Sequence, residues 1–81
     1  MPKTIFSVGQ EKLQTLLIET RRKAELSQVQ LAKKLGRPQS FVSKYENGER
    51  LLDVVGLREI CHALEITLPV FINRFEKVLQ S

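Results

Sequence analysis

The segment Leu26-Ser27-Gln28-Val29-Gln30-Leu31-Ala32-Lys33-Lys34-Leu35-Gly36-Arg37-Pro38-Gln39-Ser40-Phe41-Val42-Ser43-Lys44-Tyr45-Glu46-Asn47-Gly48 leaves this chain few ways to fold. Ser27 and Gln30 make an S-x-x-Q capping box, which opens a helix by satisfying two of its free backbone N–H groups. Leu31, Ala32 and Leu35 then recur at helical spacing and share one face. Ala32 is small enough to let a second helix cross closely. Gly36 ends the first helix by taking a left-handed conformation that any Cβ would disfavour. Pro38 presets a φ suited to the first turn of the next helix, in which Val42 and Tyr45 point inward. Gln39, Ser40, Ser43, Lys44 and Asn47 are left on the outer face. Two short helices, a tight turn and a polar face on the second make a unit, residues 27 to 47, that can lay that face in the major groove of DNA.

The run L-S-Q-x-x-L-A-x-x-L-G, followed by Q-S-x-V-S-K-Y-E-N-G-E-R, resembles the phage-repressor and Cro-like (Xre-type) helix-turn-helix family, and the resemblance extends over roughly residues 10 to 72. It implies an all-α, compact five-helix repressor-like domain that binds double-stranded DNA. It also implies roles by position. Gln28, which opens the second helix, would contact a phosphate and brace Gln39, the first glutamine of the recognition helix. Gln39, Ser40, Ser43 and Lys44 would read bases, and Asn47 would touch the DNA backbone. In one place the chain departs from the family. Many members carry a valine and then a capping serine after the turn glycine, whereas here Arg37-Pro38 follows Gly36. That leaves the capping of the recognition helix open and adds a positive charge beside the turn.

Charge distribution points the same way. The net charge is +4 over 81 residues. Residues 21–50 hold eight Lys/Arg against Glu25, Glu46 and Glu49, while the remainder holds five basic and six acidic residues. The excess is therefore concentrated on the motif, as a phosphate-binding face requires. Arg22, Lys23, Arg37 and Arg50 are expected to contact the DNA backbone, together with Gln28 and Asn47. A solubilising surface would account for such charge taken alone, and cations at a helix C-terminus also suit the helix dipole. Phe41 is the odd residue, apolar on the outer face. It can touch a thymine methyl or lie along the DNA backbone, and the backbone is the expectation adopted.

A chain of this length forms one domain, residues 1 to 81, and buries only about 60–65% of its unfolded surface, room for one core and no deep substrate cavity. Ser7 and Gln10 repeat the capping pattern and open a first helix that runs to about Ala24, with Leu13, Leu16, Leu17, Thr20 and Ala24 on its buried stripe. Before it lies an N-terminal arm, residues 1–8, with Ile5, Phe6 and Val8 apolar. Asp53 caps a fourth helix whose inner face is Leu57, Ile60, Cys61 and Leu64. Gly56 costs that helix about 1 kcal/mol relative to alanine, which suggests close packing there. A fifth helix, residues 68–80, starts at Thr67 or Leu68-Pro69. Its apolar stripe of Leu68, Phe71, Ile72, Phe75, Val78 and Leu79 is wide for a helix that only closes its own core. Leu68 and Ile72 suit core or interface equally; Phe71, Phe75, Val78 and Leu79 are expected at a homodimer interface. A two-fold dimer doubles the base contacts and matches a palindromic site with half-sites roughly 34 Å apart.

Chemistry finds little footing. His62 is offset toward solvent, and the single Cys61 lies on an apolar stripe, where it packs as a small hydrophobe. No His, Cys, Asp or Glu pair has metal-ligand spacing, and no glycine-rich phosphate loop is present, so no enzyme activity, cofactor or metal is expected. One cysteine excludes an intrachain disulfide and suits a reducing cytoplasm. No apolar run approaches the roughly 18 residues that span a membrane, and no signal-peptide pattern opens the chain. The expectation is a sequence-specific transcriptional regulator acting by operator occupancy. An antitoxin or restriction–modification controller that autoregulates its operon is the alternative, with a toxin or RNA polymerase as a further contact. An adaptor that kept the fold without binding DNA would carry a degraded polar face on the recognition helix, and here that face is intact.

Overall fold

The computed structural model describes residues 7–81 as five α-helices: α1 (Val8–Lys23), α2 (Gln28–Leu35), α3 (Gln39–Glu46), α4 (Val54–Ala63) and α5 (Leu68–Gln80). Residues 1–6 of the expected arm, Ile5 and Phe6 among them, lie outside the described residues, and Val8 is the first residue of α1. Side chains cap four of the five helix starts. Ser7 Oγ accepts from the Gln10 N–H at 3.1 Å. Ser27 Oγ accepts from Gln30 N–H at 3.0 Å while Gln30 Oε1 accepts from Ser27 N–H at 2.8 Å, the complete reciprocal box. Asp53 and Thr67 cap α4 and α5 through the N–H groups of Gly56 and Val70. Gly56 is small for a local reason: a Cβ there would stand 3.3 Å from the capping Asp53 Oδ1.

α3 is the exception. Pro38 occupies the cap position itself, with φ −65° and ψ 154°, instead of the first helical turn. Its fixed φ fits the extended cap as readily as the helix, and it has no side-chain oxygen to offer, so α3 starts without a side-chain cap.

Three helices end in one and the same way. At the end of α2, Gly36 has φ +67°, and the N–H groups of Gly36 and Arg37 return to the carbonyls of Lys33 and Ala32. The same pair of bonds closes α1 and α4, where the left-handed residues are Glu25 (φ +61°) and Glu65 (φ +62°). The repeated pattern A-E-L-S and L-E-I-T thus encodes one helix-to-helix connection used twice. A glutamate there carries a Cβ penalty that glycine lacks. Glu25→Gly or Glu65→Gly should each raise stability by about 0.5–1 kcal/mol, the relief of the left-handed strain less the extra freedom glycine gives the unfolded chain. Urea titration checks this, and a lowered midpoint would contradict it.

Each helix sends its apolar stripe to one core: Leu16 and Leu17, Leu31 and Ala32, Val42 and Tyr45, Leu57, Ile60, Cys61 and Leu64, and Phe71. α2 packs on α3, α1 on α3 and α5, and α4 on α2 and α5. Two sequence expectations fail here. Ala24 is exposed, because α1 stops at Lys23 and Ala24 is its C-cap. Phe71, expected at a dimer interface, has 0% exposure within a single chain. α5 lies against both α1 and α4, and Phe71 is the residue it sends between them into the core. Ile72 and Leu79 remain exposed, at 36% and 39%, with Leu68, Phe75 and Val78 half-buried beside them. No helix among the described residues is long and apolar enough to cross a membrane.

Candidate nucleic-acid interface

A chain of hydrogen bonds runs from the core to the start of α3. Arg21 of α1 is buried, and its Nε donates to Glu46 Oε2 at 2.7 Å and its Nη2 to Glu46 Oε1 at 3.0 Å. Its Nη1 donates to the Leu26 carbonyl at 2.9 Å. The hydrogen bond to Glu46 holds the Arg21 guanidinium above its ordinary pKa despite the opposing effect of burial. Glu46 Oε1 also accepts from Gln28 Nε2 at 2.9 Å, and Gln28 Oε1 accepts from Gln39 Nε2 at 3.0 Å.

The order of donors and acceptors in this chain is forced. An ionised carboxylate can only accept, so Gln28 must turn its NH₂ toward Glu46 and its oxygen toward Gln39. Gln39 must then turn its own NH₂ toward Gln28. One N–H and Oε1 of Gln39 have no partner among the described residues and lie on an exposed side chain, the donor–acceptor pair that matches the N7 and N6–H₂ of an adenine edge. The bracing of Gln39 by Gln28, implied by the family resemblance, is present. Its anchor in the Arg21–Glu46 pair escaped the sequence reading, which counted both residues as surface charge. A signal existed: Glu46 lies four residues after Val42 on the same helix face, as Arg21 does after Leu17.

The other expected base-reading residues stand with Gln39. Ser40 and Lys44 are exposed and Ser43 is half-buried. Arg22, Lys23, Arg37 and Arg50 are exposed, as are Lys33 and Lys34, so withdrawing the internal Arg21–Glu46 pair leaves the local excess of charge unchanged. Gln28 is half-buried. Asn47 closes α3 and shapes the turn after it: its Oδ1 accepts from Glu49 N–H at 3.0 Å and its Nδ2 donates to Glu49 Oε2 at 3.2 Å.

Phe41 departs from expectation. It is half-buried, its ring meets that of Tyr45 edge-on at 5.5 Å between centroids, and the guanidiniums of Arg37 and Arg50 lie over it at 4.6 and 5.1 Å. Its packing on Tyr45 leaves it half-buried where full exposure was expected.

The sequence profile of the helix-turn-helix family matches residues 17–71. The chain belongs to the Xre/Cro-like helix-turn-helix family. That places it among DNA-binding transcriptional regulators. An XRE-family-like protein from Pseudomonas syringae pv. tomato str. DC3000 is 40% identical, with 91% of this chain and 90% of that one covered and a TM-score of 0.83. The restriction-modification controller protein C.Esp1396I shares the fold at 24% identity, with coverage of 94% and 97% and a TM-score of 0.86. The same controller protein, as a tetramer in complex with its natural 35 base-pair operator, matches with a TM-score of 0.85 at 24% identity, covering 94% of this chain and 100% of that one. No curated protein matches the sequence.

Proposed function

We propose that this helix-turn-helix regulator is sequence-specific, occupies an operator as a homodimer, and reads bases from the outer face of α3. The observation that carries the proposal is the fixed orientation of Gln39. An amide held with one donor and one acceptor outward discriminates among base edges, whereas a freely turning amide accepts several. Ser40 and Lys44 flank it and can donate to guanine, and Ser43 lies one turn on. Gln28 and Asn47 set the register on the phosphates, and the exposed cations of residues 22–50 supply the salt-sensitive affinity.

Gln39→Ala should cost about 1–3 kcal/mol on a duplex selected from a randomised pool and leave binding to a scrambled duplex nearly intact. An equal loss on both would remove Gln39 from base reading.

The proposed dimer surface is the apolar strip of α5 that the core leaves uncovered: Ile72 and Leu79, with Phe75 and Val78 at its edge. The controller protein assembles as a tetramer on its operator, and its α-helical plan is shared along this chain. Ile72→Glu should give a folded monomer by analytical ultracentrifugation, because the side chain is already 36% exposed. A dimer undisturbed by that charge would place the interface elsewhere. Binding without catalysis, in the cytoplasm, completes the proposal. Cys61 is buried, and burial pushes its thiol up to about 11, which makes it a poor nucleophile.

A further inference from the structure

We propose that Phe41 is a positioning residue: its ring gathers the Arg37 and Arg50 guanidiniums into one paired contact for DNA phosphate. The proposal rests on the DNA-binding reading above and assigns Phe41 a task that needs no contact with DNA.

Arg37 comes from the turn before α3 and Arg50 from the turn after Asn47-Gly48. Arg37 lies four residues before Phe41, and the turn that carries Arg50 is folded back on α3 by the Arg50 N–H, which donates to the Lys44 carbonyl at 3.2 Å; the two guanidiniums meet over the ring. The ring is itself anchored, since Tyr45 behind it is only 2% exposed and meets it edge-on. Gathering two cations on one ring works against their mutual repulsion. The nearby acids do little to relieve it. Glu59 reaches Arg37 only at 3.6 Å, with both side chains about half exposed, and an exposed pair of that kind is weak. Asp53 accepts from the Gly56 N–H at 2.7 Å as the α4 cap. Arg50 has no carboxylate within salt-bridge distance among the described residues. Leu51, Leu52 and Val55, which line the same groove, carry no charge.

A guanidinium stacked on an aromatic face keeps its edge N–H groups free, and those are the groups that grip a phosphate with two parallel bonds. Lysine could not use the ring in this way. The two guanidiniums flank α3 beside the face that bears Gln39, Ser40 and Lys44, where the phosphates bordering a major groove would pass. The ring serves as the platform of the two guanidiniums.

The test measures binding by fluorescence anisotropy across a salt series, on a duplex selected from a randomised pool and on a scrambled one. Wild type, Phe41→Leu, Phe41→Trp and the double variant Arg37→Gln/Arg50→Gln are compared, each checked for folding by circular dichroism. Phe41→Leu should weaken both duplexes by the same factor, about tenfold, and lower the slope of log K against log salt by about 1. Phe41→Trp should restore both, since it keeps a stacking face. The arginine double variant should show the loss with the ring intact, and adding Phe41→Leu to it should change nothing more. A loss confined to the selected duplex would overturn the proposal and make Phe41 a base contact. So would an unchanged salt slope, or a full further loss on top of the arginine double variant. If Phe41→Leu does not fold, the Phe41→Trp and arginine variants decide, and an unchanged slope in the arginine pair overturns it. Wild type that binds neither duplex would instead overturn the DNA-binding reading itself.

Discussion

Glu46→Ala is expected to destabilise the chain by about 3–5 kcal/mol, because it leaves Arg21 buried with no counter-charge. The Arg21 and Glu46 side chains keep only 10% and 4% of their surface, so water cannot take over the lost partner. For a domain whose whole stability falls near the low end of about 5–15 kcal/mol, most molecules would unfold under mild denaturant. Urea titration followed by circular dichroism measures the loss directly. A change under about 1 kcal/mol would place this pair with exposed ion pairs, against its burial. The double replacement Arg21→Met/Glu46→Leu should behave differently. It removes both charges and fills similar volume, which is often neutral or stabilising. The fold should survive, yet Gln28 would lose the acceptor that sets its amide, and Gln39 with it. Preference for the selected duplex should then fall while the melting temperature holds. This separates the pair's part in recognition from its part in folding.

Phe71→Glu is expected to abolish folding. The side chain has 0% exposure and packs within the core, so the substitution puts an unpaired carboxylate among apolar groups and leaves an unfilled space as well. Losses of this class exceed about 4 kcal/mol. Phe71→Leu, which keeps an apolar group of nearly the right size, should cost less than about 2 kcal/mol and leave a folded chain. A soluble, folded monomer of Phe71→Glu in sedimentation and circular dichroism would contradict the core assignment and return Phe71 to the interface. Ile72→Glu serves as its contrast: one residue further along α5, the same charge meets solvent.

That one-residue contrast shows where sequence stops being informative. The α5 pattern offered six apolar residues, and periodicity ranks none of them above another. Which one enters the core depends on how α5 sits between α1 and α4, a fact of tertiary packing. The helix starts were legible because they are local: Ser7, Ser27, Asp53 and Thr67 act on N–H groups three residues away. The ends of α1 and α4 were less legible, since a glutamate rather than a glycine takes the left-handed position. At the site, the outward set of Gln39, Ser40 and Lys44 followed from what the apolar residues of α3 leave over. The buried arginine–glutamate anchor did not, because charge is counted along a sequence without regard to where it points. The partial burial of Phe41 was missed for the converse reason. Tyr45 stands one turn on along the same helix, but Arg37 and Arg50 come from the turns on either side of α3 and meet over the ring only in the fold.

The central claim is that a core-anchored chain of hydrogen bonds orients Gln39 on a helix that reads DNA. It is tested most directly by anisotropy of the wild-type chain on a pool-selected duplex and a scrambled one, at about 50 and about 200 mM salt. A preference of about a thousandfold for the selected duplex, with affinity falling steeply as salt rises, is the expected result. Weak and equal binding to both duplexes would contradict it.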